Sequence, residues 1–465
     1  MKYLSIIYSS VLFTLSYFFV DQLGFLIIPA FIILFITLKN LNNYKVAIYS
    51  GLLWAAVGYS LQLIWLLELL LNKSQASLYN TIFIYLFIIL YLTLLTVIIF
   101  CFIYFLFLKT KNLFFKILIF ISSFYLYFYF IINKLLFFID NNWGYPFINP
   151  LILLCRYKSF LFLLNLINFN FYNINQDVSK NFLERNKIIY LKPVIKTFNN
   201  GYNENTAALM IYQQLSALDL YKISKNYDKL IIVTPESYFP YALNEYEKTL
   251  HLWENVLPKN SVLFLTAQRS QKKSSIKNKY YQTIYKVESG RIIYFYDKKH
   301  SFWFVEKVPK NFNKIEWTKK LFLADRFNFS KGKDNCKIFQ INNQVNFIPM
   351  ICSEFFFKKD IKTGSRLGGR DDTGSTIYSK FFFDKDIYCH SGLAVPDEAL
   401  REVWDPESSP LNILLLVVND SWFLNYFKKL LFYYAILISN MKNIPILYVG
   451  HENFSFIKPS NLNLE

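Results

Sequence analysis

For its first 170 residues the chain is a succession of apolar runs separated by short polar breaks. Tyr3 to Phe19, Gly24 to Leu38, Val46 to Leu71, Thr81 to Leu108 and Ile117 to Ile139 are apolar; a weaker run, Pro146 to Phe169, contains Arg156 and Lys158. A bilayer span needs about 20 apolar residues. The pattern therefore predicts five or six spans, the first two short and separated by Asp21 and Gln22. Lys2, then Lys39 and Lys45, then Lys109, Lys111 and Lys116 fall between alternate runs, which puts the N-terminus in the cytoplasm by the excess of positive charge on that side. Five spans would leave the following domain outside, and six would leave it inside.

Past Asn170 the texture changes to short apolar runs alternating with helix-compatible stretches. Strands are predicted over Lys187 to Tyr190, Lys229 to Val233, Ser261 to Thr266, Asn346 to Cys352, Leu411 to Val418 and Pro445 to Val449. Tyr280 to Val287 and Arg291 to Tyr296 read as a hairpin around Gly290. Helices are predicted over Asn205 to Leu220, Ala242 to Trp253 and Asn425 to Met441. Such alternation argues an α/β sandwich, so the chain divides into a transmembrane helical domain over 1–170 and an α/β domain over 171–465. Residues 362–410, rich in Gly, Ser, Asp and Arg, read as an inserted loop.

Composition agrees. At 54% hydrophobic and 20% aromatic residues, with mean hydropathy +0.25, the chain is too apolar for an ordinary soluble enzyme. The net charge of +18 points to cytoplasmic loops and anionic lipid. Its lysines are scattered and follow no groove-reading motif, so nucleic acid is not an expected partner. The five cysteines include no CxxC pair, and Cys389-His390 is isolated; neither a disulfide framework, a metal site nor a cofactor is expected.

Candidate chemistry lies in three segments. Ile348 to Ile351 is an apolar run that ends at Cys352, with Glu354 two residues on. A buried strand that delivers a nucleophile to its exposed end reads this way, and so does a small core residue. Thr234-Pro235-Glu236-Ser237 and Tyr296-Asp297-Lys298-Lys299-His300 supply an acid and a lysine upstream. A thiol is mostly protonated at neutral pH and needs a base, which Glu236 can provide. One of the adjacent Lys298 and Lys299 can stabilise an oxyanion. Glu236 and the lysine pair also read as solvated loop charges, and His300 as a structural histidine.

Seven segments in order resemble those of the apolipoprotein N-acyltransferases, membrane-embedded members of the nitrilase (carbon–nitrogen hydrolase) superfamily. Trp143-Gly144-Tyr145-Pro146-Phe147 is similar to GFPW, Thr234 to Pro240 to WPE[ST]xxP, and Tyr280-Tyr281-Gln282-Thr283 to YYN[ST]. Tyr296 to His300 with Phe304 to Pro309 is similar to YxKxHLVPFGEYVP, and Phe329-Ser330-Lys331-Gly332 to FSxG. Ile351 to Glu354 resembles ICYE, and Asn419 to Phe423 resembles NDxWF. The chain departs where Ser353 replaces Tyr, and where Trp303 and Val305 replace Pro and Gly. The family's additional span, its C-terminal span and its last strands after Val449 have no evident counterpart.

The resemblance implies an αββα nitrilase-like domain on a multi-pass inner-membrane bundle, with the site in the periplasm. It implies a catalytic triad of Glu236, Lys298 and Cys352. Glu306 would orient Lys298, and Glu354 would support the thiol. Trp303, Trp422 and Tyr238 are the aromatic candidates for substrate contact. It also implies a ping-pong transfer of a fatty acyl group from a membrane phospholipid, through a Cys352 thioester, to the N-terminal amine of a diacylglyceryl-cysteine lipoprotein. Two other functions fit the same residues: a nitrilase-fold amidase or hydrolase, and an accessory membrane protein of conjugal transfer.

Overall fold

A computed structural model describes residues 2–68, 71, 78–128, 153, 182–193, 204–246, 248–274, 277–299, 329–332, 338–342, 345–352, 354, 411–420, 425–442 and 444–459. The chain forms two compact units, one of Met1–Ile167, Phe302–Asn328 and Trp422–Leu437, the other of Asn168–Ser301, Phe329–Ser421 and Ile438–Glu465.

The first unit is helical: α1 (Lys2–Phe18), α2 (Val20–Lys39), α3 (Tyr44–Gln62), α4 (Ile64–Glu68), α5 (Leu78–Lys109) and α6 (Leu113–Leu126). Asn43 starts α3 by accepting from the Val46 N–H at 2.8 Å, and Asn112 starts α6 by accepting from Phe114. Helices α2 and α5, of 20 and 32 residues, are long and apolar enough to cross a membrane. The first two runs form separate helices, as the sequence pattern implies, but the chain breaks at Phe19, two residues before Asp21 and Gln22. They lie inside α2, where Asp21 pairs with Lys429 and accepts from the Tyr433 hydroxyl at 2.7 Å. The third run divides at Leu63 into α3 and α4. The second half of the fifth run and nearly all of the sixth lie outside the described residues.

Several polar side chains in this unit are buried and hydrogen-bonded. Ser9 donates to the Ala30 carbonyl (2.8 Å) and Ser10 to that of Trp54 (2.6 Å). The hydroxyls of Tyr59, Tyr127 and Thr96 form a buried chain with 2.7 Å links. Gly51 and Gly58 let helices approach, since a Cβ at Gly58 would meet Ser10 Oγ at 2.9 Å. The outward face of α5 carries Phe83, Leu86, Leu90, Leu94 and Ile98, all more than two-fifths exposed.

The second unit is a mixed α/β structure built on two sheets. The first runs β1 (Asn186–Tyr190), β2 (Lys229–Val233), β4 (Ser261–Ser274), β5 (Lys277–Glu288), β6 (Arg291–Asp297), with β3 (Phe239–Ala242) beside β4. The second runs β11 (Phe454–Ile457), β10 (Ile446–Val449), β9 (Leu411–Val417), β8 (Val345–Ile351), β7 (Phe339–Asn342). Strands β1, β2 and β4 are parallel, as are β8, β9 and β10. Side-chain alternation sorts the first sheet's two faces. Leu230, Ile232, Leu263 and Leu265 join a core with Ala207, Ile211 and Leu215 of α7 (Glu204–Ala217) and with Trp253 of α9 (Lys248–Glu254). On the other face Phe264 packs on Phe339 and Phe347 of the second sheet, with centroids 5.5 and 5.4 Å apart. Every residue of β10 is buried, as expected of a parallel strand covered on both faces.

The predicted strands are present and the hairpin around Gly290 forms, with β4 and β5 longer than the apolar pattern implied. Helix 205–220 ends early, because Asp219 takes a left-handed conformation (φ 45°) before α8 (Leu220–Ser224). Ala242 to Trp253 is not one helix: it comprises the end of β3, a 3₁₀ turn over Leu243–Glu245, and α9. Asn244 explains the break, bonding through both ends of its amide to Ser270 on β4. A strand follows Val449 after all, as β11 pairs antiparallel with β10. The last helix, α10 (Asn425–Lys442), links β9 to β10. The insertion at 362–410 lies outside the described residues.

Candidate active site

Strand β2 ends at Val233 and the chain turns through Thr234-Pro235-Glu236. Two hydroxyls pin this turn to β4: Thr234 Oγ1 accepts from the Thr266 N–H at 2.9 Å, and Thr266 donates to the Pro235 carbonyl. The Tyr238 N–H closes it onto Thr266 Oγ1 at 3.1 Å. Glu236 is thereby held inward, 1% exposed. Lys298 Nζ donates to its Oε1 at 2.8 Å, and the Asn419 N–H donates to its Oε2 at 3.0 Å.

Lys298 follows the last residue of β6 and is itself 2% exposed. Its backbone is fixed on both sides, with its N–H on the Gln282 carbonyl and its carbonyl accepting from Gly332, both at 2.8 Å. A Cβ at Gly332 would lie 2.8 Å from the Asp297 carbonyl carbon and closer still to its oxygen; only glycine fits there. The preceding Asp297 receives two bonds from Arg269 (2.9 and 2.5 Å) and one from Thr283 (2.7 Å). Arg269 in turn is stacked on Tyr281 and Phe295. Lys299 differs from its neighbour: its side chain lies over the Tyr296 ring, and its N–H serves Glu354.

Cys352 follows β8 directly and is 8% exposed. Its φ of 45° is left-handed, as is that of Ser237 (58°), the residue after Glu236. Non-glycine residues held there store strain of about 1–3 kcal/mol, and such strain clusters at functional sites. Glu354 holds this corner. Its Oε2 accepts from the Ile351 N–H at 2.9 Å; its Oε1 accepts from the Tyr296 hydroxyl at 3.0 Å and from the Lys299 N–H. One carboxylate thus ties the cysteine-bearing strand end to the lysine-bearing one. Ile351 and Glu236 line a common small cavity with Ser237, Thr266 and Gln282.

A third strand end closes the site. Asp420 is fully buried and accepts from the backbone N–H groups of His451 (2.6 Å) and Glu452 (3.1 Å), and from Asn453. Burial pushes its carboxyl up from the usual range, and these bonds pull it part of the way back. His451 Nε2 lies 2.7 Å from the Glu236 carbonyl. A carbonyl only accepts, so Nε2 carries the proton. Burial lowers the pKa of His451, and the bond to Glu236 partly offsets this, so the ring is neutral at pH 7. A lone histidine after a strand carries no sequence signal of such a role.

Glu236 and Lys298 are therefore in contact, and Glu354 lies between the Cys352 and Lys298 corners. Tyr238 is elsewhere: it belongs to the core between the first sheet and its helices, with its hydroxyl on Gln214 of α7. That placement gives it a packing role in place of the expected substrate contact. Trp303, Glu306, Trp422 and His300 lie outside the described residues. Among the described residues no cluster of three or more His, Cys, Asp or Glu could hold a metal ion.

No protein-family model and no curated protein matches the chain. Among solved structures it is similar to a glutamine-dependent NAD+ synthetase from Acinetobacter baumannii in complex with ADP, at 11% identity and a TM-score of 0.31. The match covers 57% of this chain and 38% of that one, and at that score it carries no structural argument.

Proposed function

We propose that this chain is a multi-pass inner-membrane acyltransferase of the nitrilase type. It would move a fatty acyl group from a phospholipid, through a Cys352 thioester, to the N-terminal amine of a diacylglyceryl-cysteine lipoprotein on the periplasmic side. The observation that carries the proposal is the buried Glu236–Lys298 pair at 2.8 Å, on strand ends that also present Cys352 in a left-handed corner. The two face-to-face sheets with helices outside the first support an αββα nitrilase-like domain. The apolar outward face of α5 supports a transmembrane bundle, since water penalises such a face.

In this mechanism Glu236 takes the Cys352 proton, and the sulfur attacks the ester carbonyl carbon of the donor. The oxyanion develops beside the Lys298 ammonium, a contribution of about 3 kcal/mol per well-placed donor. Collapse breaks the ester C–O bond, and Glu236 protonates the departing lysophospholipid oxygen. The acceptor amine then attacks the thioester, the C–N bond forms, the C–S bond breaks, and the amine's proton returns through Glu236 to the thiolate. Glu354 acts on geometry, because its oxygens are already engaged by Ile351, Tyr296 and Lys299.

The test is intact-protein mass spectrometry of detergent-purified protein after incubation with phospholipid, with wild type compared to Cys352→Ala. A fatty-acyl mass gain on wild type alone, removed by neutral hydroxylamine, is expected. Folded protein that gains no acyl mass would sink the proposal, and turnover of soluble amides without acylation would replace it with an amidase.

A further inference from the structure

Among the described residues, the buried side chain of Gln282 carries a polar atom without a hydrogen-bond partner. It sits on β5 opposite Lys298: the ladder pairs Thr283 with Asp297, and the Lys298 N–H continues it to the Gln282 carbonyl. Residues opposite one another in an antiparallel pair send their side chains to the same face, with Cβ atoms about 4.5–5.5 Å apart. Gln282 accordingly lines the cavity that Glu236, Ser237, Thr266 and Ile351 also line. It is only 6% exposed, yet among the described residues its Oε1 meets no hydrogen-bond donor. Its neighbours are satisfied: the Thr283 hydroxyl is on Asp297, that of Thr266 is on the Pro235 carbonyl, and each Glu236 oxygen holds a donor. A buried amide oxygen left this way destabilises the free protein and calls for an explanation.

We infer that Gln282 Oε1 receives an N–H of the acyl acceptor, which makes Gln282 the acceptor-binding residue of the second half-reaction. The inference rests on the acyltransferase proposal. The ester donor presents only oxygen acceptors at its reacting carbonyl and offers Oε1 nothing. A neutral primary amine has two N–H bonds. As the amine nitrogen bonds to the thioester carbon and sulfur leaves, one proton passes to Glu236. The other N–H stays in place and donates to Oε1. Gln282 thereby fixes the direction of the attacking lone pair.

Gln282→Met keeps the side-chain length and removes both polar atoms. Loading of Cys352 from phospholipid and unloading by a synthetic diacylglyceryl-cysteine peptide are followed separately by intact mass. The expected result is loading within about twofold of wild type, unloading slower by roughly tenfold as for one lost hydrogen bond, and a melting temperature equal to or above wild type. Gln282→Asn, which keeps a shorter amide, is expected to recover part of the unloading rate. Unloading at the wild-type rate, or equal slowing of both steps, would overturn the inference. So would a lower melting temperature for Met that Asn restores, since that marks a structural residue. A wild type that never loads defeats the acyltransferase proposal first, before any Gln282 variant is compared, and the inference falls with it.

Discussion

Lys298→Met removes one partner of a pair whose two side chains are each 2% exposed. Breaking a buried ion pair from one side typically costs about 3–5 kcal/mol, because the remaining charge stays in a low-dielectric site. Glu236 keeps one donor, the Asn419 N–H at 3.0 Å, which places the cost near the lower end, about 3 kcal/mol. For a unit of this size each kcal/mol moves the melting temperature by about 2–4 °C, so Lys298→Met should melt roughly 6–12 °C below wild type. The double variant Glu236→Gln/Lys298→Met leaves no buried charge and should recover most of that loss. Tryptophan-fluorescence melts in detergent, at low and at high salt, make the comparison. Salt should leave the difference nearly unchanged, because a buried pair is screened little. A Lys298→Met melt within about 2 °C of wild type, or a double variant no more stable than the single, would refute the reasoning.

Three further outcomes are expected. Gly332→Ala drives a methyl into the Asp297 carbonyl; it should cost about 1–3 kcal/mol in a melt and slow acyl transfer by about 100-fold as Lys298 shifts. Cys352→Gly should be at least as stable as Cys352→Ala by the same melts, although glycine ordinarily loses to alanine, because the φ of 45° favours it. His451 has its pKa lowered in the folded state. The unfolded chain therefore binds the proton first on acidification, so the stability this group supplies is present above about pH 6.5 and is lost as pH falls through the folded value. Wild-type melting temperature should fall as pH drops below about 6.5, and His451→Gln, which keeps a donor for the Glu236 carbonyl without titrating, should flatten that slope.

Sequence alone identified the long apolar helix at 78–109 and strands β2, β8, β9 and β10. The strands are buried along nearly their whole length, and the helix is apolar on its exposed face as well as its buried one; either case writes itself as an unbroken apolar run. It also singled out Glu236, Lys298 and Cys352, because residue types with that chemistry follow apolar runs in a familiar order. Where a side chain's partner lies far along the chain, local pattern misleads. Asp21 reads as part of the gap between the first two runs, although it lies within α2, because its partners, Lys429 and Tyr433, are more than 400 residues away. Ala242 to Trp253 reads as one helix because the Asn244–Ser270 bonds that divide it are invisible locally. Likewise, no window contains both Glu236 and Lys298, or shows that Gly332 sits on Asp297, that Asp420 gathers the turn after β10, or that Gln282 Oε1 meets no donor among the described residues. Local patterning follows burial and backbone preference, which each residue carries in its own chemistry. Charge pairing, strain at Cys352 and an unmatched amide belong to contacts between strand ends, and only the packing of the two sheets brings those ends together.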